Sequence, residues 1–254
     1  MINKIIILFK IARKIGSSDI IKIVDKAHKV PFFIKIFFTI VSLSFNKNQK
    51  KNNNTNDLSS TIQELGTTFI KLGQFLATRP DIIGEELTKN LEKLQDKLPP
   101  FSKSQAENII REELGELTAK NIIEFSEPVA AASIAQVHKA RINEGNIIKD
   151  VAVKVLRPKI KEIFNSEIDA IMMLAYLVET FIPKTKRLKL IEVVFLFKEI
   201  TNHEMDLRFE AAAANEYSEN TKNDLGFNVP KIYWNFTSES VLTLDWVDGV
   251  SIRE

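Results

Sequence analysis

Between Val151 and Leu156 the chain runs VAVKVL, an apolar string of strand length interrupted by a single lysine. Successive side chains of an extended backbone alternate between faces, so Lys154 shares a face with Ala152 and Leu156. An ammonium group on an apolar face is costly unless an anion stands opposite it. Any fold that uses this string as a strand must therefore bring an acid to that face from elsewhere in the chain. Pro158 closes the string. Upstream, the stretch VAAASIAQVHKARI that follows Pro128 acquires alternation toward its end, and the polar run Asn143-Glu144-Gly145-Asn146 separates it from VAVKVL. Two strands joined by a glycine-containing turn predict an antiparallel hairpin.

Most of the remaining sequence reads as helix. From Leu58 to Thr78, Leu65, Phe69, Leu72 and Leu76 recur at helical spacing until Pro80 stops the run. Gly66 and Gly73 fall inside it, each costing about 1 kcal/mol relative to alanine. Seven apart, they line one face and permit close approach of another element. Lys71 and Gln74, three apart, are neighbours on the helix surface. By themselves they fit helix packing beside a solvent lysine as well as a functional face. Ile83–Leu98 is amphipathic and ends at Pro99-Pro100. Ser102 with Gln105 forms a capping-box start for a helix reaching Leu114-Gly115. Ile168–Ile182 is apolar but carries Asp169 and Glu179, and it is too short to cross a bilayer. It reads as a core helix.

Charge is distributed unevenly. Residues 1–56 hold eleven basic and two acidic side chains, net +9, and the remainder is net −7. In MINKIIILFKIARKIG, Ile5, Leu8, Ala12 and Ile15 share one helical face while Lys4, Lys10, Arg13 and Lys14 lie on the other. That pattern fits a helix in a membrane interface and also an ordinary surface helix. The apolar segment Val30–Phe45 contains Lys35 and is too short to span. NKNQKKNNNTN, residues 46–56, reads as a linker. There are no cysteines, which excludes disulfides and thiolate chemistry and fits a reducing, cytoplasmic compartment. Three scattered histidines exclude a histidine-rich metal centre, and no metal site is expected. No recognised nucleic-acid motif accompanies the N-terminal lysines, so no specific nucleic-acid partner is expected.

Taken in order, these residues resemble the UbiB (ADCK) family of atypical protein-kinase-like proteins. VAVK matches the kinase strand lysine. AAASIAQV, Ala130–Val137, stands where a kinase carries its glycine-rich loop, with Ala130, Ala132 and Ala135 at the glycine positions. The family's K-x-G-Q motif is matched by Lys71, Leu72, Gly73 and Gln74. Its E-x-D motif is matched by Glu204, Met205 and Asp206. VLTLDWVDGV, Val241–Val250, resembles the fifth strand and hinge.

The resemblance implies an α+β chain: a kinase-like small lobe with an antiparallel sheet plus helices, at 121–254. An α-helical N-terminal extension with the K-x-G-Q motif at 58–120 would precede it, after a basic arm at 1–45 and a linker at 46–57. It implies an ATP site in which Lys154 binds phosphates and pairs with Glu210. Ala130, Ala131, Ala132 and Ser133 would cover the phosphates, Val137 and Ala152 would line the site, and Asp245, Trp246 and Val247 would touch the adenine. Lys71, with Gln74 beside it, would meet Glu204 or Asp206. Those two acids lie on different sides of a helix, so the backbone should break near Met205. Asp206 and Glu210, four apart, should repel unless a cation such as Lys154 sits near.

The resemblance further implies a link to ubiquinone biosynthesis, ATPase- or kinase-like activity with magnesium in the full-length family, and peripheral attachment at the inner face of the membrane. No catalytic-loop or D-F-G-type segment occurs in these 254 residues. The expectation is thus a front half whose large lobe is absent or separately encoded. A non-catalytic module that binds an anionic membrane or a partner, and a decayed fragment, are the alternatives.

Overall fold

The computed structural model describes residues 58–250, apart from 93, 95–97 and 146, together with Ile6, Ile7, Phe9 and Ala12. The expected basic arm and linker otherwise lie outside the described residues. The chain divides into two compact units, one of Lys97–Lys161 with Ile200–Glu254, the other of residues up to Asp96 with Glu162–Glu199.

The first unit is built on a sheet. Its elements are α5 (Lys103–Leu114), α6 (Glu116–Ala119), β1 (Ile122–Ile123), β2 (Pro128–Ala131), β3 (Ala135–Glu144), β4 (Ile147–Leu156), α9 (Leu207–Thr221) and β5 (Val241–Asp245). All pairings are antiparallel, in the order β1-β3-β4-β5, with β2 also on β3. The expected hairpin is β3–β4, in register from Ala135↔Leu156 to Glu144↔Ile147. Gly145 takes φ 61 in the two-residue turn, the left-handed conformation that such turns demand.

Register assigns every side chain to a face. Ala140 and Ile142 of β3, Val151, Val153 and Val155 of β4, and Val241 of β5 form a core with Ala106 and Ile110 of α5, Tyr233 and Phe236. Val137, Lys139, Ala152, Lys154, Leu242 and Leu244 share the opposite face. Ser102 caps α5 with the complete box: its hydroxyl accepts from the Gln105 amide while the Gln105 side chain accepts from the Ser102 amide. Sequence grouped this helix with the helical extension, but its apolar stripe lies on the sheet.

The second unit contains α1 (Leu58–Leu65), α2 (Thr67–Ala77), α3 (Pro80–Ile83), α4 (Glu85–Leu91), most of α7 (Ile160–Phe181) and most of α8 (Leu190–Glu204). The single helix expected over 58–78 is two, because Gly66 adopts φ 110 and separates α1 from α2. The helix expected over 83–98 is likewise shortened to α4, with Gly84 at φ 83 before it. Gly66 and Gly73 therefore do not line one continuous face. Gly73 is buried, and a Cβ there would collide with Leu94 Cδ1. Leu94 is itself held in a cluster with Leu87 and Leu91. Overpacking costs about 1–3 kcal/mol, against a gain of about 1 kcal/mol in helix propensity. Gly73→Ala is thus expected to lower stability by about 1 kcal/mol, checked by the urea midpoint. An unchanged midpoint would mean that Leu94 moves aside freely. Phe197 anchors the other side of this unit, its ring 5.5 Å from Phe75 of α2 and 5.6 Å from Phe164 of α7.

Candidate functional site

Lys154 stands mid-strand on β4, opposite Val137 on one side and Leu242 on the other. Its Nζ donates to both carboxylate oxygens of Glu210, at 2.9 and 2.6 Å. The acid required by a lysine on an apolar face therefore comes from α9, 56 residues downstream. Leu207 and Ala211 bury this helix against β5, and the Leu207 amide donates to the Glu239 carbonyl at 2.9 Å. Glu210, between the two buried residues, is thereby aimed at the sheet. The Lys154 side chain is 26% exposed and that of Glu210 51%. An ion pair so open to water contributes about 1 kcal/mol or less to folding, so stability does not account for its placement.

The helix break expected near Met205 is present. α8 stops at Glu204, Met205 is buried, and Asp206 opens α9 as its N-cap with φ −120 and ψ 98. The cation beside Asp206 is not Lys154, however. Arg208 donates to its two carboxylate oxygens at 2.9 and 2.7 Å, and the Arg208 amide donates at 3.1 Å. These bonds hold the Asp206 carboxyl below the usual carboxylate range, the guanidinium contribution being largest. An N-cap accepts backbone donors at the very end of the helix, so Asp206 and Glu210 do not form the i,i+4 pair that spacing predicts. Lys71 and Gln74 lie half-buried on α2, in the helical unit.

The alanine-rich segment forms the end of β2 and a turn at Ala132–Ile134. No residue of it has positive φ, which explains how alanine replaces glycine without strain. The Ala132 amide donates to the Ala135 carbonyl at 2.8 Å. Arg157, the residue after β4, donates through Nε and Nη2 to the Ala132 carbonyl and through Nη1 to that of Pro99. Ala130 is exposed and Ala131 and Ala132 are half-buried, while Ser133 has no accessible surface. In this conformation Ser133 is closed off rather than presented to a ligand.

A polar chain continues behind the turn. The Gln136 side chain accepts from the Phe101 amide at 3.0 Å, and its Nε2 lies 3.2 Å from the Phe101 carbonyl and 2.8 Å from His138 Nε2. His138 Nδ1 is 2.9 Å from the Ser126 carbonyl, and its ring stacks on Phe125. A neutral ring protonated on Nδ1 satisfies both contacts. Burial pushes the His138 pKa down, opposed by the Ser126 carbonyl and by Glu127 and Glu107, with Lys103 also lowering it. Unfolded histidine binds its proton near pH 6.5, above the folded value, so the unfolded chain binds more protons just below that pH. Stability is therefore expected to fall as pH drops below about 6.5, and His138→Gln should flatten that slope in urea titrations at several pH values. Sequence reasoning assigns no role to His138, Gln136 or Arg157. A charged residue between an apolar strand and a proline was the signal available for Arg157.

At the far end of the face, Ala152 pairs with Leu244 and Lys139. The Lys139 ammonium lies 4.7 Å from the centre of the Trp246 ring, whose Nε1 donates to Asp248 at 2.7 Å. Val247 is exposed. The Asp245 side chain is turned away from this face. It aligns with Val151, on the core face, and accepts from the Tyr233 hydroxyl at 2.6 Å, so its carboxylate points away from the Lys154 face. Burial first, then Asp245, pushes the Tyr233 pKa up.

Among the described residues, no group of three or more histidine or acidic side chains gathers in a way that would hold a metal ion. None of the described helices is long and apolar enough to cross a membrane.

A family model for the ABC1 atypical kinase-like domain matches residues 93–254. A probable protein kinase UbiB from Marinobacter nauticus is 35% identical over 227 residues, covering 89% of this chain and 41% of that protein. The corresponding protein of Azotobacter vinelandii is 36% identical over 198 residues, covering 78% of this chain and 36% of its own length. One from Pseudomonas fluorescens is 34% identical over 198 residues, again 78% of this chain and 36% of that protein. The chain thus spans about two fifths of the length of the curated relatives it matches. With the lysine on its strand, the glutamate on its helix and this extent of similarity, the chain belongs to the ABC1/UbiB family of atypical kinase-like proteins.

Proposed function

We propose that this chain carries the small-lobe half of an ATP site of a UbiB-type atypical kinase or ATPase linked to ubiquinone biosynthesis. The observation that carries the reading is the Lys154–Glu210 pair, a cation and its orienting acid on a half-open sheet face. The donor set fits a nucleotide: an ammonium group is a compact donor for phosphate oxygens, and a carboxylate behind it fixes its direction. Val137 and Ala152 present small apolar surface beside it for a base, with Trp246 at the rim. Glu210 holds the ammonium in place and Arg157 sets the turn carrying Ala130–Ser133, while Lys71 and Gln74 of the K-x-G-Q motif and Glu204 and Asp206 of the E-x-D motif are the further catalytic candidates that the family pattern supplies.

Phosphoryl transfer requires metal-held phosphates and a positioned nucleophile. In this reading those groups come from a large lobe, on the same or another polypeptide, and magnesium binds there with the nucleotide. The test is calorimetric titration of the chain with ATP and with ADP. Saturable binding of either supports the proposal. Heats no larger than those of inorganic phosphate alone would refute it.

A further inference from the structure

Ser126 fixes the backbone of Lys139 on β3. The Lys139 amide donates to the Ser126 hydroxyl at 2.9 Å, and the Ser126 amide donates to the Lys139 carbonyl at 2.8 Å. In register, Lys139 stands opposite Ala152 of β4. Its ammonium lies 4.7 Å from the centre of the Trp246 ring. Trp246 follows β5 and is tied at both ends: its amide donates to the Asp150 carbonyl at 3.1 Å and its Nε1 to Asp248 at 2.7 Å. β4 runs between β3 and β5, which places those two strands about 10 Å apart. The lysine side chain therefore crosses β4 to reach the indole, and the small Ala152 leaves room for it. Because the ammonium arrives from β3, the ring face that it covers is the one turned inward over the sheet.

Other cations of this face are neutralised by acids. Arg141 pairs with Asp150 and Glu124, and Lys154 pairs with Glu210. Lys139 has no carboxylate partner among the described residues, and its ammonium rests on the indole instead. Lys139 and Trp246 are both half-buried. A cation–π contact that water can reach is weak enough to be exchanged for another partner. Ala152 lies two residues along β4 from Lys154, about 7 Å, and Trp246 lies beyond it. The covered indole thus stands at the opposite end of the face from the Lys154 ammonium.

We propose that Lys139 is a specificity-determining residue: its ammonium occupies the indole face on which a base would stack, and a ligand is held at this end only if its base displaces that ammonium. The inference rests on the nucleotide reading of the Lys154 face and names the part of the ligand that Lys139 sorts. Stacking of a base on an aromatic side chain is worth more than an exposed cation–π contact, so a flat aromatic base takes the ammonium's place. A polyphosphate without a base has nothing to offer the ring and leaves the lysine where it is. The contact thereby favours ligands that carry a base over the other polyphosphates that Lys154 attracts.

The experiment is calorimetric titration of the full chain with ATP and with inorganic tripolyphosphate, which carries the phosphates without a base. The ratio of the two affinities isolates the base, because any lost attraction between the lysine charge and phosphate weakens both ligands. In Lys139→Met the ratio should rise about two- to fivefold, the worth of the contact given up. In Lys139→Arg it should fall, because a guanidinium stacks on an aromatic face more firmly than an ammonium. Both variants keep a long stem, and an unchanged melt verifies the fold. The chain has two tryptophans, so Trp234→Phe leaves Trp246 as the single emitter. Its emission should change with ATP and stay constant with tripolyphosphate. A ratio that is unchanged or lower in Lys139→Met, or an emission that ignores ATP, overturns the inference and leaves the nucleotide reading standing. Absence of saturable ATP binding to the parent chain removes both.

Discussion

Replacing Lys154 by methionine is expected to lower the affinity for ATP and ADP by about ten- to a hundredfold while leaving the fold intact. A hydrogen bond to a charged group contributes about 1.5–3 kcal/mol, and about 1.4 kcal/mol is tenfold in affinity. Methionine keeps much of the apolar stem, which lies across from Val137 and Leu242, so packing loss is small. Removing the ammonium also frees Glu210, which is half exposed and can hydrate. The melting temperature should therefore change little. Glu210→Gln is the companion variant: it keeps the side-chain shape but removes the charge that orients Nζ. It should weaken nucleotide binding by less than Lys154→Met, because the phosphate donor remains. Calorimetric titration decides the matter. Nucleotide affinity unchanged in Lys154→Met would remove the lysine from the site.

The second large effect is on stability. Phe197 is 1% exposed, between Phe75 and Phe164. Phe→Ala in a packed core costs about 3–5 kcal/mol through lost transfer energy and the cavity left behind. That is a large part of the 5–15 kcal/mol typical of a domain. Phe197→Ala should therefore shift the urea midpoint strongly. Because Phe75 follows Lys71 and Gln74 on the same helix, hydrogen exchange in α2 should accelerate more than exchange in β3 and β4. Uniform acceleration would show instead that the two units unfold as one.

Which features were legible in the sequence follows from the range of the forces involved. The Ser102–Gln105 cap and the Gly145 turn depend on residues three or four apart, and both stand where the pattern put them. The need of Lys154 for an acid was legible because a lone cation in an apolar strand has few physical remedies. Family resemblance picked out Glu210 among the acids. The break at Met205 was legible only on the condition that Glu204 and Asp206 serve one site, since a continuous helix would turn them to different sides. What escaped was set by choices between local alternatives. Helical spacing does not reveal that Gly66 leaves helical φ, since its neighbours keep the apolar period. Asp206 could be predicted to need a cation, but Arg208, two residues away, is out of reach on a helix and in reach only from a cap. The hinge resemblance of Asp245 says nothing of its side-chain direction, which the register with Val151 sets beside Tyr233. The Arg157 contacts link residues 25 and 58 apart in sequence, through backbone carbonyls that carry no side-chain signature.

The alanine turn has a thermodynamic consequence. Where the native backbone suits both residues, alanine in place of glycine stabilises by about 0.4–1 kcal/mol, because the unfolded chain has fewer states to lose. At Ala130, Ala132 and Ala135, free of left-handed conformations and pinned through Arg157, the segment reaches its shape with little entropy left to lose. Such a rim is preorganised: under the proposed nucleotide reading, phosphates beside it would have to conform to its contour, and selectivity among nucleotides would rest on their shape rather than on the rim's adaptability.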